Sequence, residues 1–295
     1  MPQTNASKFV ATRAALRFAD LPKFGAEYFV SSVTGASTGG GSPDSPAATL
    51  IQAQSAATAS ADDTVYVAHD HAESVTGAAG MTFSKAGITY EGMGLGRLRP
   101  TISFTTAIGA QIIISGANTK FRNFVFDFTG FDAITAAISV TAADVTFEDC
   151  EFICNSATAG VVLGILTAAT ATRLKIKRCR FLGTFANSGT TTTAQIKHEV
   201  GIDFEISDCY FCGKMTQAIL NATTITNGLI DNNRFHIGTG TAAITMETSS
   251  AGLISRNVAC VASGTAPYAG AAMSYSQNHY TTEGNGPTAG TADAI

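Results

Sequence analysis

One short pattern returns through the middle of this chain and restricts its fold more than any other feature. It is an apolar residue, two mostly polar residues, a Cys, Asn or other ordered residue, any residue, and then usually Phe. Copies run from Phe121 to Phe126, Phe147 to Phe152, Ile176 to Phe181, Ile206 to Phe211, Ile230 to Phe235 and Ile254 to Ala259. Their final positions are 26, 29, 30, 24 and 24 residues apart. A degenerate copy lies at Tyr90–Leu95, and Thr64–Ala68 begins the series. Each copy is preceded by a second short alternating segment: Ala137–Thr141, Gly164–Thr167, Ala218–Asn221, Ala243–Met246 and Ala272–Tyr275. A period this short has no room for a crossover helix, so the expected class is all-β: a parallel β-helix of about 7–8 coils over residues 28–280.

Stacking such coils about 4.8 Å apart places Phe126, Phe152, Phe181, Phe211 and Phe235 in one interior column. No coil can bury these rings alone, so the core grows with each repeat. A second column at the turn holds Phe124, Cys150, Cys179, Cys209, Asn233 and Asn257. A buried Asn there can satisfy its amide against the neighbouring coil, and Cys fills the same volume as a weak hydrogen-bonder. The alternative readings of the cysteines are inter-coil disulfides or a zinc site built from Cys209 and Cys212 with Cys150 and Cys154; no His stands at ligand spacing beside them. Beside the ladder, Glu148, Lys177, Ser207 and Asp231, and Asp149, Arg178, Asp208, Asn232 and Arg256, mix charges from coil to coil, as a solvated face of opposed pairs does.

Away from that strip the chain is almost bare of charge. Residues 153–172, 182–196 and 215–230 contain no Asp, Glu, Lys or Arg, and Ala, Thr and Gly make up about 40% of the chain against an ordinary Gly share of roughly 7%. Uncharged faces of this extent point to packing against another subunit. A net charge of −4 lacks the basic footprint of a nucleic-acid binder or a polybasic membrane binder, and no apolar run is long enough for a span, so neither partner is expected. The N-terminus has no unbroken apolar region for a signal peptide, and a chain made in the cytoplasm without Sec export is expected.

The ends depart from the repeat. In residues 1–27, Asn5 or Ser7 can cap a short helix with Phe9, Val10 and Leu16 on one side and Lys8, Arg13 and Arg17 on the other, stopped at Leu21-Pro22. It can cap the first coil, whose open end presents unpaired backbone groups, or serve as a docking arm. Residues 34–46 form a Gly/Ser/Pro loop, Ala47–Ala61 suits a short helix, and residues 281–295 read as a loosely held tail or an arm ordered by a partner.

The run Ser42–Leu50, then Asp63–Val75, then Ile88–Gly94 and the coil repeat resemble the opening of single-stranded, right-handed parallel β-helix proteins of the pectate-lyase superfamily. Within it the chain resembles bacteriophage virion proteins, including the cement or decoration proteins that sit as trimers on capsids. That resemblance implies a homotrimer on the virion exterior, bound to the major capsid protein, with no cofactor and no catalysis. Tail-associated receptor-binding proteins and depolymerases of the same fold are the alternative. Lyases of the superfamily use a calcium-binding acidic cluster with a base, and tailspike hydrolases use paired carboxylates. Asp70, Glu73, Asp127, Asp203, Glu205 and Asp231 are the candidates for such roles, but their spacing places no pair in one cleft. His69, Asp70, His71 and Glu73 form the densest polar cluster, which a turn after the first rung explains. Triads assembled from His198, His236 or His279 lack a nucleophile-elbow sequence.

Overall fold

The computed structural model describes residues 25–282, apart from 106, 155, 157, 159, 186–190, 200, 239–241, 262–266 and 271. Lys8, Phe9, Arg13, Leu16 and Arg17, and with them the expected N-terminal helix, lie outside the described residues.

Every repeat copy from Phe121 onward bends at its third position. Asn123, Asp149, Arg178, Asp208, Asn232, Arg256 and Gln277 all take left-handed backbone conformations, with φ between 51° and 61°. Asn and Asp tolerate that region best among residues with a side chain. The bend splits each copy into two strands, such as Lys120–Arg122 and Val125–Asp127, which belong to different sheets. A second column of left-handed residues, Asn118, Asp144, Arg173, Asp203 and Asn227, turns the chain back into the first sheet.

The result is the parallel β-helix. Ten strands, from Glu27–Val30 to Met273–Ser276, make the first sheet. Nine, from Ala72–Val75 to His279–Thr282, make the second, and eight, from Met81–Phe83 to Tyr268–Ala269, make the third. Eight coils therefore contribute to all three sheets, and equivalent residues pair in parallel register from coil to coil: Phe121 with Phe147, Phe126 with Phe152, Ile112 with Ile138. The series begins one strand earlier than the repeat suggested, because Glu27–Val30 pairs ahead of Thr64–Val67. The segment Ala272–Tyr275 is also reassigned. Its strand, Met273–Ser276, lies in the first sheet beside Gly252–Ser255, not in the third.

Period-two alternation sends one side of each strand inward. Phe126, Phe152, Phe181, Phe211 and Phe235 are buried, with successive ring centroids 5.1, 4.5, 4.5 and 5.0 Å apart and ring planes within 12° of parallel. Tyr90, Phe121 and Phe147 stack likewise from the first sheet, at 4.9 and 5.7 Å.

The N-terminal end of the third sheet is closed by the one α-helix among the described residues, Leu50–Ala56. Thr49 caps it through a bond from the Gln52 N–H, and Leu50 and Ala53 are buried. Its Gln54 serves as a surrogate strand. The side-chain amide donates to the Thr82 carbonyl at 2.9 Å and accepts from the Ser84 N–H at 2.9 Å and the buried Tyr90 hydroxyl at 3.3 Å. Lys85 caps the other end of the helix, donating to the Ser55 and Ala57 carbonyls.

Phe181 sits mid-column, stacked on both sides, so Phe181→Ala opens a cavity that neither neighbour can fill. A loss of about 3–5 kcal/mol is expected in urea denaturation, and Phe181→Leu should lose distinctly less.

Candidate functional site

The turn column is a continuous hydrogen-bonded ladder inside the coil stack. Asn233 Oδ1 accepts from the Cys209 N–H at 2.9 Å while its Nδ2 donates to the Ile206 carbonyl at 2.9 Å. Asn257 repeats both bonds one coil on, to Asn233 N and Ile230 O. Cys209 makes the weaker sulfur version, with its Sγ 3.4 Å from the Cys179 N–H and 3.5 Å from the Ile176 carbonyl. Cys179 and Cys150 reach back to the Phe147 and Phe121 carbonyls at 3.6 and 3.5 Å. Asn278 extends the ladder, accepting from Asn257 N and donating to Ile254 O. Sequence reasoning missed it, although Tyr275–Tyr280 matches the repeat with Asn in its fourth place. Cys209 faces inward and Cys212 outward, so the two cannot share one zinc ion.

The charged strip outside the first sheet is a network. Glu148 is held by Lys120 and Arg178 and approached by Arg122. Arg178 also grips Asp149 at 2.8 Å, Lys177 meets Glu205 at 2.8 Å, and Arg173 binds Asp144 through two bonds of 2.7 and 2.6 Å. Burial raises the Glu148 carboxyl, but the Lys120 and Arg178 hydrogen bonds outweigh it and hold it below its usual range. The Arg256 bond does the same for Asp231, and the Arg173 bond for Asp144. With no strong cation bond, Glu91 is raised by burial despite the nearby Arg122.

Each candidate catalytic carboxylate is tied to its own neighbours. Glu73 accepts from the Leu50 N–H at 3.0 Å and lies 3.2 Å from buried His71, whose Nδ1 accepts from the Ser32 N–H. That bond leaves the His71 proton on Nε2, facing Glu73. The cluster thus pins the first coil to the capping helix. Asp127 accepts from Thr129, Asp203 from Asn227, Asp231 from Ser255 and Arg256, and Glu205 pairs with Lys177. Asp70 is a left-handed turn residue beside exposed His69. Among the described residues no three His, Cys, Asp or Glu side chains converge on one point.

His198 is the one histidine among the three triad candidates that is fully buried. Its Nδ1 lies 2.8 Å from Thr167 Oγ1 and its ring rests against Phe204. Nε2 has no hydrogen-bond partner among the described residues and presses on Gly201, where a Cβ would come within 2.4 Å of it. Burial pushes His198 down to about 4, with Glu199 opposing weakly.

The third sheet presents the neutral face. Its outward column runs Thr82, Ile113, Ser139, Leu166, Lys197, Leu220, Thr245, Ala269 in register. All are partly exposed, and the single charge, Lys197, is neutralised by Glu199 at 2.5 Å. The charge-free stretches 153–172, 182–196 and 215–230 supply the strands and turns around it.

No protein family and no curated protein matches the chain. Among solved structures it is similar to a rhamnogalacturonan lyase, at 14% identity and a TM-score of 0.55 over 80% of this chain and 69% of that one. It is also similar to a GH136 lacto-N-biosidase from Eubacterium ramulus (8% identity, TM-score 0.41, 94% and 70% covered) and to ORF18 of Geobacillus virus E2 (12%, 0.34, 80% and 58%). The lyase likeness shows the parallel β-helix fold and nothing about activity.

Two outcomes follow from the buried polar groups. Asn257→Ala strands the Asn233 N–H and the Ile230 carbonyl and should cost about 2–4 kcal/mol; Asn257→Cys, imitating the upper coils, should cost less than half as much by chemical denaturation. For His198, the unfolded chain binds a proton below pH 6.5 that the folded chain refuses until about 4. Stability should therefore fall by roughly 3 kcal/mol as pH drops through that window. The slope should flatten in His198→Asn, which copies Asn221 on the next coil.

Proposed function

We propose that this protein is a non-enzymatic structural component of a bacteriophage virion, a cement protein that trimerises and binds the major capsid protein on the head exterior. The observation that carries this reading is the outward column of the third sheet, an extended neutral surface with Ile113, Leu166 and Leu220 on a chain whose first sheet is laced with ion pairs on its outer side. A surface depleted of charge and carrying branched aliphatic side chains has the composition of an interface core. The engagement of Glu73, Asp127, Asp203, Glu205 and Asp231 in structural bonds is consistent with it, since a general acid or a nucleophile has to be available to a substrate. The resemblance in sequence to phage cement proteins supplies the location, and many symmetric copies on a shell would convert weak individual contacts into firm attachment.

In light scattering the purified protein should be a trimer, and the pair Leu166→Glu with Leu220→Glu should dissociate it while its melting curve stays cooperative. Mass spectrometry of virions should find hundreds of copies per particle. A monomeric wild type, a copy number of a few per particle, or shortening of host surface polysaccharide on incubation would overturn the proposal, the last two in favour of a tail depolymerase.

A further inference from the structure

Outside the Phe column, the second sheet carries a second line of side chains that the proposed virion role does not use. Cys212 pairs in register with His236, and His236 with Cys260. Their strand neighbours Phe211, Phe235 and Ala259 are buried in the core, so alternation directs all three to the outer face, where each is half-buried. Neither thiol belongs to the inner ladder occupied by Cys150, Cys179 and Cys209. The Phe185 ring, from two coils earlier, lies 4.6 Å from the His236 ring at 49°. It can lie there because the residue beneath is Gly238, where a Cβ would stand 2.3 Å from the ring. The imidazole is therefore held and shielded on one side, with a sulfur one rung above and another one rung below.

The spacing selects the ligand. Adjacent rungs are about 4.8 Å apart, and a metal between one sulfur and one imidazole nitrogen needs roughly 2.3 Å plus 2.0 Å in a straight line. A two-coordinate ion bridges one rung with little adjustment. A tetrahedral ion does not, because its donors have to gather round a point and a straight column keeps the outer two two rungs apart. Thiolate and imidazole suit both copper and zinc, and of the two the linear spacing fits Cu(I). We propose that Cys212, His236 and Cys260 form a binding site for one Cu(I)-type cation, held linearly between His236 and either flanking thiolate. The bound thiol loses its proton to solvent.

The test is a Cu(I) titration of the full-length protein, in ascorbate under nitrogen, against a chromogenic Cu(I) chelator. One equivalent should be retained. His236→Ala, and separately the double variant Cys212→Ser with Cys260→Ser, should each weaken retention by about a hundredfold or more, beyond the loss typical of an outer-sphere partner. Either single serine variant should weaken it less, since one sulfur remains. Zn(II) should wash out of the wild type. Each variant's metal-free melting curve should remain a single cooperative transition, which separates loss of the metal from loss of the fold. No retained copper, copper retained equally by His236→Ala, or zinc held as firmly as copper would each overturn the proposal.

Discussion

The fold depends on a parallel, in-register stack in which every coil must satisfy the buried backbone groups of its neighbour. A bent strand leaves an N–H and a carbonyl pointing into the core at each corner, and leaving such groups unpaired costs about 1–3 kcal/mol apiece. Asn233, Asn257 and Asn278 answer both groups with one side chain, Cys209 answers both more weakly with sulfur, and Cys150 and Cys179 reach the carbonyl. With the corners settled, the aromatic columns can stack and the outer surface is free to vary.

That freedom divides the surface. Outside the first sheet, like charges on adjacent rungs would repel, and the chain places Glu91, Arg122, Glu148 and Lys177 in successive register positions so that each meets an opposite neighbour. Outside the third sheet the same positions hold Ile, Ser, Leu and Thr. Carboxylates absorbed by neighbouring bases serve the stack, whereas the neutral column stays partly exposed.

Much of this was legible because a solenoid converts sequence period directly into spatial neighbourhood. The Phe spacing places Phe152 against Phe181 without any knowledge of handedness or loop shape. What the pattern hid had a local cause. The six-residue motif reads as one unit, yet the left-handed residue at its third place, Asp149 or Arg256, divides it between two sheets. The closing helix was visible at Ala47–Ala61, but the role of Gln54 was not, because a glutamine standing in for a strand has no periodic signature. His198 was indistinguishable in sequence from exposed His279, since its burial follows from the register Thr167–His198–Asn221 rather than from its own neighbours.

The corner ladder also has a direction. In each bond the side chain of the later coil reaches back to the backbone of the earlier one: Asn233 to Cys209, Asn257 to Asn233, Asn278 to Asn257. Each turn is therefore finished by its successor: removing the coil that follows would leave the corner N–H and carbonyl of the one before it unpaired.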